Sequence, residues 1–145
     1  MSELQIRKMT ALDILQVRKL PVQLAHPPSA TLIPRKLRAL MHDRNYRLVV
    51  AEHDKKVAAF AGLSFSPAVD SGISFLVVGW FAADRFAMSR GIAAELEAHA
   101  TVLATENRSA GLLVGSENLS KTALGFYQRR GYALTGNTLI KALKR

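Results

Sequence analysis

The stretch that decides the fold is Asp84-Arg85-Phe86-Ala87-Met88-Ser89-Arg90-Gly91-Ile92-Ala93. It follows the most apolar run of the chain, 73–83, and opens into a helix-like segment, 92–103. A buried strand that stops at polar residues, turns through Ser-Arg-Gly and continues as a helix makes an anion site. The first backbone N–H groups of a helix have no internal partner and point out of its end, where the macrodipole favours negative charge. Gly91 admits a close approach to the backbone, and Ala93 keeps the first turn thin. The stretch reads as a phosphate cradle, and the rest of the chain as what positions it.

Outward from it, the sequence before residue 84 reads as strands and two short helices. Residues 4–9 alternate apolar and polar, as a half-buried strand does. Thr10 reads as a helix N-cap, with Asp13 completing a capping box. Ile14, Val17 and Leu20 then share a face, Pro21 ends that helix, and His26-Pro27-Pro28-Ser29 reads as a loop. Pro34 begins a second helix, with Ile33, Leu37, Leu40 and Met41 at helical spacing. Residues 47–52 and 57–65, joined by His53-Asp54-Lys55-Lys56, read as an antiparallel hairpin. The long apolar strand 73–83 follows.

Beyond the cradle, Ile92, Leu96, His99 or Ala100, and Leu103 form one stripe, with Glu95 and Glu97 placed outside. Residues 109–114 read as a further strand, and Gly115-Ser116-Glu117-Asn118 breaks it. Ser120 caps a helix that runs to about Arg130, where Gly131 supplies the C-terminal cap. Residues 132–134 and 138–143 close as a hairpin about Thr135-Gly136-Asn137. The order is βααβββαβαββ, an α/β fold with a mixed, mostly antiparallel sheet of six to seven strands and helices on both faces.

Composition bounds the function. The 145 residues, without repeat or low-complexity tract, suit a single domain spanning 1–145. The absence of cysteine excludes disulfides, thiolate metal sites and a thiol nucleophile, and is compatible with a reducing, cytoplasmic compartment. The N-terminal segment lacks the apolar core of a signal peptide, and no apolar run is long enough for a helix to span a bilayer. The net charge of +9 is uneven: residues 1–48 hold nine Lys/Arg against three acids, 110–145 six against one, and the middle five against seven. Such basic ends steer an anionic ligand, or a nucleic acid, or are simply a solvated surface.

The segment order and two motifs resemble the GCN5-related N-acetyltransferase (GNAT) family over nearly the whole chain. The first motif is Gln/Arg-x-x-Gly-x-Gly/Ala, here Met88-Ser89-Arg90-Gly91-Ile92-Ala93, with Met88 in place of the usual Arg or Gln. The second resembles Asn-x-x-Ala-x-x-Phe-Tyr-x-x-x-Gly-Phe/Tyr, here Asn118, Ala123, Phe126-Tyr127 and Gly131-Tyr132, with extra spacing after Asn118. The resemblance implies acetyl-CoA as co-substrate, with no metal, and transfer of the acetyl group to a primary amine by direct attack. It implies that Ala83, Met88, Ser89, Arg90, Gly91, Ile92, Ala93, Asn118 and Tyr127 bind the cofactor. Asn118 would reach the pantetheine arm or a nearby backbone, and in isolation also reads as a turn or cap residue.

Tyr127 resembles the family's general acid, which protonates the departing thiolate; read by its spacing alone it is a core aromatic. The base is the gap, since the long strand carries no carboxylate over Leu76-Val77-Val78-Gly79. Glu52, His53 and His26 are the candidates, each also an ordinary turn-flanking or loop residue, and a neutral amine or a water chain would need none of them. Either Arg85 or Arg90 is expected to supply charge at the cradle. Trp80 and Phe81 read as core, one of them a candidate for an acceptor pocket. The expected partners are acetyl-CoA and an unidentified amine, and a homodimer is compatible with the sequence. A catalytically silent CoA-binding or regulatory module is the first rival. A basic nucleic-acid-binding domain is the second, against which stands the lack of clustered basic and aromatic residues.

Overall fold

A computed structural model describes residues 4–25, 34–67, 73–117 and 119–143. In chain order the elements are β1 (Leu4–Lys8), a 3₁₀ turn (Ala11–Asp13), α1 (Ile14–Arg18), β2 (Val22–Ala25), α2 (Pro34–Leu40), β3 (Tyr46–His53), β4 (Lys56–Pro67) and β5 (Ser74–Ala83). There follow α3 (Arg85–Ser89), α4 (Ile92–Glu106), β6 (Gly111–Gly115), α5 (Lys121–Arg129), β7 (Ala133–Thr135) and β8 (Thr138–Ala142). One sheet of eight strands runs β1-β3-β4-β5-β6-β8-β7, with β2 added to the second edge of β5. All pairings are antiparallel except β5 with β6. This is the mixed, mostly antiparallel α/β fold that the sequence leads one to expect.

Local chemistry explains most element ends. The Thr10 backbone N–H donates to Asp13 Oδ2 at 2.7 Å, and its hydroxyl donates to the same oxygen at 3.1 Å, which closes the turn into α1. Asp54 and Lys55 take positive φ, +49° and +67°, as a tight hairpin requires. The Ser120 hydroxyl oxygen accepts the Ala123 N–H at 3.1 Å, and Gly131 ends α5 at φ +96°. Two apolar layers flank the sheet. Leu63, Leu76, Phe81, Leu96, Leu112 and Tyr127 are among the side chains of one layer, beneath α4 and α5. Ile14, Val17, Leu37, Val50, Phe60 and Trp80 belong to the other, beneath α1 and α2. Trp80 and Phe81 are thus both core, on opposite faces.

Three expectations change. Val22–Ala25 forms a strand, because Pro21 stops α1 and the next four residues find the unpaired edge of β5. Arg85–Ser89 forms a one-turn helix where only a turn was expected, since the Asp84 carboxylate accepts the Ala87 N–H at 2.6 Å. Glu97 faces inward and is 2% exposed. It accepts bonds from the Tyr132 hydroxyl at 2.8 Å, Lys141 Nζ at 3.1 Å and the Thr101 hydroxyl at 3.0 Å, which offsets burial of its charge. Ala100 takes the place in the stripe, and Val102 is left exposed.

Candidate active site

The site begins with an interruption in β5. β6 pairs with β5 only over Phe75, Leu76 and Val77. On the same edge β2 pairs with Phe81, Ala82 and Ala83. Between Val77 and Phe81 the edge of β5 has neither neighbour. The other edge is irregular at the same level: Gly62 of β4 faces Trp80 and Leu63 faces Val78, so Gly79 is an extra residue, a β-bulge. A bulge bends its strand and increases its twist. Here it coincides with the parting of β5 from β6, and unpaired backbone of this kind accepts an extended chain with amide groups of its own.

Ala83 closes β5 and is fully buried between its Val22 and Ala59 partners. Asp84 then starts α3. At the end of α3, Met88 N–H bonds Asp84 O at 3.2 Å and Arg90 N–H bonds Phe86 O at 2.9 Å. Gly91 breaks the run at φ +77° and begins α4, whose first internal bond is Glu95 N–H to Gly91 O at 3.0 Å. At the start of α4 the N–H groups of Gly91, Ile92, Ala93 and Ala94 precede the first internal bond, so these donors begin two residues after Ser89 and end one residue after Ala93. Nothing lies within 4 Å of where a Cβ on Gly91 would stand, so the approach to this helix end is open.

A cavity of about 890 Å³ lies beside the cradle. Arg85, Met88 and Ser89 of α3 line it on one side, and Ser120, Thr122 and Arg129 of the α5 segment on the other, with the start of β2 between. Of the two expected cations, Arg85 lines this cavity; the Arg90 guanidinium instead stacks on Phe86, 5.3 Å from the ring centroid. Met88 packs against the core rather than offering a donor.

Tyr127 sits on the buried face of α5, fully enclosed, its hydroxyl without a hydrogen-bond partner among the described residues. Its ring meets Phe81 edge-on at 6.5 Å, beside the residue where the open edge of β5 ends, and Tyr132 at 5.1 Å. Burial, and then the nearby Glu97 charge, push the phenol well above its ordinary value, so it keeps its proton. An orphaned buried hydroxyl costs about 1–3 kcal/mol and calls for an account in terms of a ligand or a site.

The other candidates do not join this group. Glu52 lies on β3 with β4 between it and β5. There its carboxylate accepts from Arg7 at 2.7 Å. His53 packs its ring against Phe86 at 5.1 Å. His26 and Asn118 lie outside the described residues. No cluster of three metal-ligating side chains occurs among the described residues. Sequence reasoning missed Arg129; the glycine one helical turn before it, Gly125, was the available signal.

β5 and β6 thus part near the N-terminus of α4, with the buried Tyr127 packed against Phe81. The sequence model of the acetyltransferase (GNAT) domain matches residues 19–142. The chain belongs to the GNAT family. No curated protein matches it. Among solved structures it resembles a transcriptional regulator from Bacillus halodurans C-125, with 19% identity, TM-score 0.77 and 99% of each chain covered. It also resembles a GNAT-family acetyltransferase from Desulfovibrio desulfuricans, with 20% identity, TM-score 0.73 and coverage of 98% and 99%. AtaTR, whose structure was solved with acetyl-CoA, shares 22% identity at TM-score 0.64, with coverage of 95% and 92%. At these identities the likeness establishes the fold.

Proposed function

We propose that the protein is an acetyl-CoA-dependent N-acetyltransferase acting on a primary amine by direct attack. The observation that carries this is the open edge of β5 between Val77 and Phe81, where β6 and β2 leave it unpaired, with the Tyr127 ring packed against Phe81 at its end. The acetyl-CoA complex of AtaTR supports the co-substrate. The pantetheine arm would lie along β5 between Val77 and Phe81, with its pyrophosphate at the N–H groups that begin α4. Met88, Ser89 and Arg90 border that cradle, and Asn118 would adjoin the arm.

The reaction then runs as follows. The neutral amine attacks the thioester carbonyl carbon, the C–S bond breaks, and the nitrogen loses a proton to solvent. Tyr127 acts as general acid: it donates a hydrogen bond to sulfur and transfers its proton as thiolate charge develops, recovering it from water. Its high proton affinity keeps it in the donating form across physiological pH. Glu52, held by Arg7, we assign to the fold rather than to the transfer, and β5 offers no carboxylate in its place. The amine must therefore arrive neutral or lose its proton through water. Without cysteine, a thiol acyl-enzyme is excluded.

No helix among the described residues is long and apolar enough to cross a membrane. The missing strand carboxylate also favours a second reading, a CoA-binding module without turnover. Release of CoA thiol over a panel of small amines, peptides and lysine-bearing proteins separates the two. Amine-dependent release supports the transferase; binding of acetyl-CoA without release from any acceptor favours the module.

A further inference from the structure

We propose that Arg129 and Arg85 grip the phosphate-bearing half of coenzyme A, taking over the side-chain anchoring that Met88 cannot give. The inference rests on the acyl-CoA reading above and names which side chains make the chain prefer CoA to a shorter thioester. Arg85 of α3 and Arg129 of α5 line the same cavity, together with Ser89, Ser120 and Thr122. No carboxylate lines it, and among the described residues neither guanidinium has a hydrogen bond or ion pair. The Ser89 hydroxyl already donates to Phe86 O at 3.1 Å, which leaves two cations and the Ser120 and Thr122 hydroxyls as donors for phosphate oxygens.

Gly125 shows how Arg129 is placed. It occupies the interior of α5, where glycine weakens a helix relative to alanine. A Cβ there would stand 3.1 Å from Arg129 Nη1. The Arg129 side chain therefore folds back over Gly125 toward the N-terminal end of α5, the end that borders the cavity. Alanine at 125 would push the guanidinium off this path. Met88 fits the same picture: it borders the cavity while packing partly against the core, and as a thioether it adds no charge.

The test compares acetyl-CoA with S-acetylpantetheine, which carries the same thioester and arm but no phosphates. Calorimetric titration of the full chain gives both affinities at two salt concentrations. Wild type is expected to prefer acetyl-CoA strongly, and more so at low salt. Arg129→Ala should weaken acetyl-CoA binding about tenfold. It should also reduce the preference over S-acetylpantetheine and flatten the salt dependence, with Arg129→Lys recovering part of the loss. Arg85→Ala should act in the same direction. A wild-type preference that Arg129→Ala and Arg85→Ala leave undiminished overturns this inference and leaves the acyl-CoA reading standing. Binding of neither thioester by the wild type overturns that reading itself.

Discussion

Tyr127 concentrates the chemistry and a stability cost in one hydroxyl. Tyr127→Phe removes a buried oxygen that has no partner, so the apo protein should melt at the same temperature or higher. Turnover should fall about a hundredfold or more, with acetyl-CoA affinity nearly unchanged. Parallel melting curves and kcat measurements check this, and equal turnover would remove the general-acid role. Burial raises the phenol, so no loss of activity between pH 7 and 10 should disappear in a Tyr127→Phe background with residual activity. Glu97 shows what single-residue reading misses. Helical spacing places it outside the stripe, and its burial is made tenable largely by Lys141 and Tyr132, 44 and 35 residues away. Glu97→Ala leaves Lys141 without its counter-charge and should cost about 3 kcal/mol in urea unfolding. Pairing Glu97→Leu with Lys141→Met should recover much of that loss; recovery by neither partner change would show that the pair is not the cause.

At the level of elements, the α3–α4 junction is built around the backbone of Gly91. Gly91→Ala meets no neighbour in the apo protein, so its stability cost should be that of a left-handed residue alone, about 1–2 kcal/mol. Its effect on acetyl-CoA affinity should be larger, because the added methyl stands at the open mouth of the cradle; titration with acetyl-CoA distinguishes the two effects. The turn between β1 and α1 gives a pH signature. The Arg7 guanidinium beside it, 2.8 Å away, holds the Asp13 carboxyl below the usual carboxylate range. A carboxylate whose folded-state pKa is depressed contributes stability that is complete above its unfolded pKa, about 4, and is lost as pH falls through the folded value. Wild type and Asp13→Asn should therefore differ in denaturant midpoint at pH 7 and converge toward pH 2. A gap independent of pH would contradict the ion-pair account. Most elements were legible because their signals are local: Ser120 and Gly131 bracket α5, and Asp54-Lys55 turns the β3–β4 hairpin. β2 was not, because four residues after a proline become a strand only when β5 supplies the edge.

Over the whole molecule, the sheet order and the order of motifs were readable, since strand alternation and the two signatures survive in one dimension. The cavity between α3 and α5 was not. Arg85 and Arg129 are 44 residues apart in sequence, and only the crossover through α4 and β6 brings their helices to one opening. The parting of β5 from β6 was likewise not readable, because it and the extra residue at Gly79 appear only once β5 is paired with β4, β6 and β2. The account as a whole predicts a folded chain that binds acetyl-CoA. The most direct test is the melting temperature with and without acetyl-CoA. At about a hundred times its dissociation constant the ligand should stabilise the fold by roughly 2.7 kcal/mol, a rise of about 8 °C for a chain of this size. An unchanged melting temperature at millimolar acetyl-CoA would contradict the account.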